Sequence, residues 1–236
     1  MKTIGLIGGM SWESTAVYYR LINEAVRRQR GGLHSAEIAM RSLDFVSVVD
    51  LQKAGRWDDA GRLLGEAGAG LARSGAACVL ICTNTMHLVA DPVAAISGVP
   101  LIDIIDETAR ALRADGRRKP LLLATRYTME HGFYAQRMAH HGIDVVVPDC
   151  DDRGVVHDVI FNELCQGRIS DASRTRYLGI VEAARSRGID SVILGCTEIS
   201  LLVDPAALPV PGYDSTAIHA DAAVRFALAD DMERAA

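Results

Sequence analysis

Cys196 is the side chain whose type and position most clearly suggest chemistry. It follows the apolar run 191–194, which predicts a buried strand, so the cysteine would lie in the turn at the carboxyl end of that strand. If Thr197 begins a helix there, free backbone N–H groups and the helix dipole would stabilise a thiolate, which could remove a proton from carbon. The alternative is a small buried hydrophobic residue, a common role of cysteine.

An internal repeat gives Cys196 a counterpart elsewhere in the chain. Residues 75–85 align with residues 188–198 without a gap, and this alignment places Thr83 opposite Cys196. Residues 106–109 similarly align with 214–217. Together the two similarities favour a duplicated α/β unit. If the halves are related by a pseudo-twofold axis, the two loops meet in an interdomain cleft, a usual place for ligands in open α/β sheets.

Apolar strands and amphipathic helices alternate along the whole chain, which is typical of parallel sheets. We predict an α/β fold of two similar parallel-sheet domains, one formed by 1–105 with a returning helix in 214–236, the other by 106–213. The expected strands after the N-terminal one are 36–43, 77–82, 120–124, 143–147 and 191–194. The expected helices include 58–73, 106–113, 129–141, 152–165, 170–187 and 214–228.

Composition excludes several classes of partner and location. The chain has 25 Lys+Arg against 30 Asp+Glu without a long run of either sign, so we expect no nucleic-acid partner. No apolar run approaches the roughly 20 residues of a membrane span, so we expect no membrane association. The five cysteines form no CxxC pair and are interpreted as thiols of a cytoplasmic protein.

No cofactor or metal is expected from the motifs. The seven histidines are scattered without metal-ligand spacing, and the turn at Gly8 and Gly9 lacks a nucleotide-binding pattern. A pyridoxal phosphate enzyme needs a Schiff-base lysine, but none of the three lysines lies in a loop that resembles a phosphate site.

Polar residues flank the proposed pair and suit a substrate carboxylate. Asn84, Thr85 and Thr197 offer amide, hydroxyl and backbone N–H donors, although helix capping uses the same residue types. Cys82 is a weaker candidate than Thr83, because the adjacent position in a strand faces the opposite side.

Three segments, 4–15, 82–87 and 195–199, resemble the signature segments of the aspartate/glutamate racemase family. The resemblance spans the whole chain and implies two α/β domains, frequently a homodimer, and a pair of cysteines that exchange the Cα proton without a cofactor. Here Thr83 replaces the first of those cysteines and Cys196 matches the second. The same threonine is typical of a subgroup described as broad-specificity or L-aspartate/glutamate-type racemases.

The resemblance also indicates substrate-binding positions. Gln52, Asn84 and Thr85 match positions that help to hold the substrate, and three further residues lie on similar site loops: Met10, Thr125 and Thr197.

We therefore expect a racemase that is independent of pyridoxal phosphate, acts on an amino acid such as aspartate or glutamate or on a broader range, and uses Cys196 and Thr83. One alternative is decarboxylation of a malonate-like acid, which needs only one thiol, and another is a non-catalytic amino-acid binding protein. The side-chain specificity stays open, because any of four arginines could recognise a distal carboxylate or lie on the surface: Arg41, Arg56, Arg126 and Arg168.

Overall fold

The computed structural model describes residues 1–233, and its contacts divide the chain into two compact units. The first unit is Met1–Asp103 together with the segment from His219 onward, and the second is Ile104–Ile218. The domains predicted from sequence have nearby boundaries, at 105/106 and 213/214, and residues 234–236 of that prediction lie outside the described residues. Each unit has a parallel sheet of its own.

The strands of the first unit are β1 (Thr3–Gly8), β2 (Ile38–Ser42) and β3 (Ala76–Ile81), and the sheet has the order β2-β1-β3. Its helical segments are α1 (Trp12–Arg30), α2 (Phe45–Lys53), α3 (Trp57–Arg73), a 3₁₀-helix (Thr85–Val89) and α4 (Ala90–Ser97). Beyond β3, Leu101 forms a single parallel bridge with Val79.

The strands of the second unit are β4 (Pro120–Leu123), β5 (Ser191–Leu194) and β6 (Gly212–Asp214), in the order β4-β5-β6. Its α-helices are α5 (Ile104–Ala114), α6 (Arg126–Glu130), α7 (Phe133–His140), α8 (Cys150–Asn162), α9 (Asp171–Arg185) and α10 (Ile199–Leu202). The 3₁₀-helix Leu164–Gln166 lies between α8 and α9, and the 3₁₀-helix Pro205–Ala207 follows α10. The helix α11 (Ser215–Glu233) begins in this unit and continues into the segment assigned to the first.

The two sheets share one connectivity. If the single bridges at Leu101 and Val146 are counted as strand positions, each unit has four positions along the chain. In each sheet the first position pairs with the third, the second lies on the outer side of the first, and the fourth lies beyond the third. In the second unit the second position is a single bridge between Val146 and Leu121. The strand order therefore reverses between β1 and β3, and between β4 and β5. Such switch points, at the carboxyl ends of the strands, are where open α/β sheets place ligands.

The predicted fold class is confirmed, with differences in single elements. The predicted helix 129–141 is divided into α6 and α7, because Gly132 has a φ of 79° between them. The predicted strand 143–147 is reduced to the bridge at Val146. The helix α2 was not predicted, although Asp44 caps its first turn through Val46 N–H. Within residues 1–233, no helix combines the length and apolar character that crossing a membrane requires.

A charged cluster joins α5 to α7 in the second unit. The Asp106 carboxylate accepts hydrogen bonds from Arg137 Nε at 2.9 Å and Nη2 at 2.8 Å, and from His141 Nε2 at 2.8 Å. Burial alone would raise the pKa of Asp106, but the bonds from Arg137 and His141 outweigh it and lower the pKa from 3.8 to about 2. The carboxylate therefore stabilises the folded state in its charged form.

Replacing Asp106 by Asn should lower the free energy of unfolding by about 1–2 kcal/mol at pH 7. Because the folded-state pKa lies below the unfolded one, the stabilisation is fully present above pH 4 and is lost as the pH falls towards 2. Urea unfolding of wild type and Asp106→Asn at pH 7, 5 and 3 measures this convergence.

Asp221→Asn is the matched control, because Asp221 forms an exposed ion pair with Arg28 at 3.4 Å. We expect it to change the free energy of unfolding by less than about 0.5 kcal/mol. Equal losses in the two variants, or a loss at Asp106 that does not change with pH, would contradict the assigned role.

Candidate active site

The first unit places its predicted site residues at the carboxyl edge of its sheet. Met10 follows β1 and Thr83 follows β3, two neighbouring strands that pair Ile7 with Ile81 near their ends. Gln52, on α2, donates from Nε2 to the Met86 sulfur at 2.9 Å, which ties it to the segment after Thr83. The unit therefore brings together five of the predicted residues: Met10, Gln52, Thr83, Asn84 and Thr85.

Glycines shape the turn that carries Met10. Gly9 has a φ of 89°, and a Cβ built there would lie 2.1 Å from the Leu43 carbonyl oxygen, so a larger residue cannot occupy this position without moving the backbone. Its N–H donates to Thr15 Oγ1 at 2.8 Å. The turn is thus fixed against α1 and the residue after β2, and Met10 is buried beyond it.

The segment after β3 is held by a buried histidine. Thr83 is half-buried, while Asn84 and Thr85 are buried polar residues. The His87 ring donates from Nδ1 to the Thr83 carbonyl oxygen at 2.8 Å, which fixes the backbone at Thr83. This contact was not predicted from the sequence. Its signal is a histidine four residues after Thr83, a spacing that returns a side chain to that carbonyl within one helical turn.

A second histidine packs against the first. The rings of His87 and His219 meet edge to face, with centroids 5.7 Å apart. His219 donates from Nε2 to the Ile102 carbonyl oxygen at 2.7 Å, so its Nδ1 accepts the Tyr18 hydroxyl proton at 2.8 Å. Burial lowers the pKa of His219 to about 3, with His87 acting in the same direction, so this ring is neutral at pH 7.

The second unit places Thr125 and Cys196 at the carboxyl edge of its own sheet. They follow the paired strands β4 and β5, whose last aligned residues are Leu123 and Leu194. Gly195 N–H donates to the Leu123 carbonyl oxygen at 2.8 Å, so the pairing continues up to the residue before Cys196. Thr125 precedes the short helix α6, and its hydroxyl lies 3.1 Å from that of Thr128.

The surroundings of Cys196 differ from the expectation. The helix α10 begins at Ile199 and has only four residues, so Thr197 does not begin a helix. The thiol instead donates to Glu198 Oε2 at 2.9 Å. Burial raises the pKa of the Cys196 thiol well above its usual value, and the Glu198 carboxylate raises it further. The predicted thiolate, stabilised towards neutral pH by a helix N-terminus, is therefore wrong for this resting state.

Thr197 and Glu198 complete this group. Thr197 donates from its hydroxyl to the same Glu198 Oε2 at 2.6 Å, and both residues are buried, at 8% and 5% exposure. No role was predicted for Glu198 from the sequence. Its signal was available, since an acidic residue directly follows Cys-Thr in an otherwise apolar segment, and buried carboxylates are rare without partners.

The other predicted candidates are placed as follows. Cys82, which was predicted to face the side opposite to Thr83, is fully buried in the core beside α1 and α11, and burial raises the pKa of its thiol. Arg56 bonds Asp59 at 2.6 Å, and Arg168 donates to Gln166 Oε1 at 2.8 Å, so both are engaged by neighbours on their own segments. Arg41 and Arg126 are exposed.

The class defined by this architecture is that of α/β proteins with two parallel sheets of equal connectivity, each with chemically capable residues at its switch point. The Asp/Glu/Hydantoin racemase family model matches residues 7–223. The chain belongs to this family. Membership assigns it to the racemases, a class of isomerases.

Solved structures agree over nearly the full length. A Yersinia pestis protein with the provisional name Asp/Glu racemase is 49% identical, with 97% of this chain and 100% of that chain covered and a TM-score of 0.92. An aspartate racemase homologue from Pyrococcus horikoshii OT3 is 33% identical, with 96% and 99% covered and a TM-score of 0.84. The aspartate racemase of Picrophilus torridus, at 19% identity and a TM-score of 0.76, shares the fold, with 96% and 94% covered.

Replacing Glu198 by Gln should make Cys196 easier to alkylate. The substitution removes the negative charge beside the thiol and thereby lowers the thiol pKa, so more thiolate is present at pH 8. We expect iodoacetamide to modify Cys196 roughly threefold faster or more, measured by mass spectrometry of the peptide that contains it.

The exposed Cys150 is an internal reference in the same sample. Glu182→Gln is the control variant, because Glu182 is an exposed carboxylate paired with Arg185. An unchanged or slower rate at Cys196 in Glu198→Gln, with Cys150 unaffected, would show that Glu198 does not hold the thiol in its protonated form.

Proposed function

We propose that this protein racemises an amino acid without a cofactor, by removing and returning the Cα proton with Cys196 and Thr83. The observation that carries the proposal is the equivalence of the two residues: each follows the third strand of a sheet with the same strand order. The racemase family and the 49% identical relative support the reaction class. The proposed substrates are aspartate, glutamate or a wider range of amino acids.

Inversion at Cα requires a proton to leave one face and another to arrive at the opposite face. In the proposed reaction Cys196 acts on one face, as base or acid, and Thr83 acts on the other. A threonine hydroxyl is far less acidic than a thiol, so Thr83 donates or relays a proton more readily than it removes one. The proton transfers on the two faces of the substrate are therefore expected to differ in rate.

The substrate carboxylate needs hydrogen-bond donors close to the reacting carbon, and we assign this role to the polar residues around the pair. Asn84, Thr85, Thr125 and Thr197 carry suitable amide and hydroxyl groups. Gln52 and Met10 complete the proposed binding group. The contact between Gln52 and Met86 supports this assignment, because it holds the glutamine beside the segment that carries Thr83.

The proposal needs no pyridoxal phosphate, since the thiol supplies the acid-base group. The placement of the lysines supports this part. Lys119 donates to the Arg187 carbonyl oxygen at 2.7 Å, Lys2 lies over the Phe226 ring, and Lys53 is exposed in the last turn of α2. None of these positions offers a lysine amine at a switch point of either sheet.

The first test follows α-proton exchange in heavy water by NMR, and the enantiomer ratio by chiral chromatography, with L- and D-aspartate and glutamate. We expect wild type to exchange and racemise, and Cys196→Ala to lose at least about 100-fold of both activities. Thr83→Cys should speed inversion, because it supplies a second thiol. Cys150→Ala, which removes an exposed thiol, should behave as wild type.

Three results would redirect the proposal. Exchange that survives Cys196→Ala unchanged would remove Cys196 from the chemistry. Binding without exchange for all four substrates would favour the amino-acid binding protein. Decarboxylation is the second enzyme candidate, favoured by the single thiol of the pair, and release of carbon dioxide from a malonate-type acid without amino-acid exchange would establish it.

We also propose a homodimeric, cytoplasmic protein that acts on a small molecule, with neither nucleic acid nor membrane as partner. The dimer follows from the family resemblance, and the free thiols of all five cysteines suit a reducing compartment. Light scattering during gel filtration should give twice the chain mass of 25.4 kDa. A mass of one chain at micromolar concentration would contradict the dimer.

A further inference from the structure

A small proton network surrounds the Cys196 sulfur. One oxygen of Glu198, Oε2, accepts both the Cys196 thiol proton, at 2.9 Å, and the Thr197 hydroxyl proton, at 2.6 Å. The two donors and their acceptor are consecutive residues after β5, and Thr197 and Glu198 are buried. Two proton donors, the thiol and the hydroxyl, therefore meet at one oxygen of a carboxyl group that can itself take up a proton.

The equivalent segment after β3 lacks this network. The internal repeat aligns Thr83 with Cys196, Asn84 with Thr197, and Thr85 with Glu198. Thr85 therefore occupies the position of the carboxylate, and a neutral hydroxyl cannot accept a proton from a neighbouring thiol as a carboxylate can. The two halves differ both in the residue that faces the substrate and in the residue that supports it.

The network changes what Cys196 can do with a proton. In the resting state the Cys196 thiol carries its proton and donates it to Glu198 Oε2. When that proton passes to Glu198, the thiolate can take the Cα proton, which leaves a thiol, a carboxylic acid and the substrate carbanion. The original proton now lies on the Glu198 carboxyl group, and the substrate proton lies on the Cys196 sulfur. The Thr197 hydroxyl proton is hydrogen-bonded to the same carboxyl group. Return of any of them to the carbanion restores the substrate and the resting charges.

We propose that Glu198 makes Cys196 a base with its own pool of exchangeable protons, so that the protein exchanges the α-proton with retention of configuration faster than it inverts the α-carbon. A thiol alone would return the proton it had taken, and such an event leaves no trace in heavy water. With the pool filled by deuterons, the same event labels the substrate without inverting it. This inference rests on the proposed function.

The experiment incubates L-glutamate and L-aspartate with the protein in heavy water and measures two rates in each sample. Loss of the α-proton is followed by NMR, and formation of the D-enantiomer by chiral chromatography. For wild type we expect exchange to exceed inversion by about tenfold or more. Recovered L-substrate should carry deuterium, which mass spectrometry detects.

Glu198→Gln keeps the shape of the side chain but removes its ability to store a proton. We expect exchange to fall by about tenfold or more relative to inversion at pH 7, although the thiolate becomes more abundant, because the thiol then returns the same proton that it removed. The ratio of exchange to inversion should approach one, because the remaining visible events are those in which the new proton arrives from the other face. Glu198→Asp should restore a ratio above one, and Glu182→Gln should match wild type.

A residue that only supported the fold would lower both rates together and leave their ratio unchanged, and that result in a folded Glu198→Gln protein would overturn the inference. So would a wild-type ratio of one. Either outcome leaves the racemase intact, whereas absence of exchange and inversion in wild type with every substrate would instead refute the proposed function. Circular dichroism and thermal unfolding establish that the variants are folded.

Discussion

The pairing of the first strand with the third in each unit is the constraint on which the candidate site depends. The register of this pairing sets the residue at which each strand ends, and a shift of one residue would turn the following side chain to the other face of the sheet. In the first unit Gly5 permits the close approach, because a Cβ there would lie 2.8 Å from the Cys78 carbonyl oxygen. In the second unit Gly195 is also closely packed, since a Cβ there would lie 3.0 Å from the Ala124 Cβ and 3.2 Å from the Leu123 carbonyl oxygen.

Strand ends leave backbone carbonyls that must find hydrogen-bond donors, and this requirement determines much of the surrounding sequence. His87 serves the Thr83 carbonyl oxygen in the first unit. Ser215 serves the Leu194 carbonyl oxygen in the second, at 2.9 Å. The helix α11 supplies Ser215 to the second unit and His219 to the first. Residues far from Cys196 and Thr83 in sequence are therefore needed to fix the backbone on which these two lie.

The sequence predicted the elements that have a clear hydrophobic periodicity. It did not predict a short helix or a break within a helical pattern. The strand at 191–194 has the predicted bounds, because a short, fully apolar segment has few alternatives. The helix α2 was missed since its nine residues show only a short amphipathic pattern, and the break at Gly132 was missed because a glycine within a helical pattern does not always end the helix. Adjacent positions at a strand end face opposite sides, which is why Thr83 was preferred to Cys82, and Cys82 lies fully buried in the core.

The protonation state of Cys196 shows most clearly what residue types alone cannot predict. A cysteine before a supposed helix predicts a lowered pKa, and the residue types alone supported that interpretation. The result depends instead on a rotamer, since the Glu198 side chain turns back towards the sulfur rather than away from it. Burial and a neighbouring carboxylate both oppose the thiolate, and both are properties of the folded chain. Residue spacing could indicate that Glu198 lies near Cys196, but it could not give the direction of its influence.

The different acidities of Cys196 and Thr83 are compatible with racemisation, but thermodynamics restricts the kinetic quantities in which the difference can appear. Enantiomers have equal free energies in solution, so the ratio kcat/KM must be the same in the two directions, however different Cys196 and Thr83 are as acids. The difference can therefore appear only in the separate values of kcat and KM and in the fate of the proton. In the proposed reaction, a thiol with its carboxylate on one side and a hydroxyl on the other still act in both directions. Only the individual proton transfers are asymmetric, because Glu198 can accept a proton beside Cys196 whereas Thr83 passes one on.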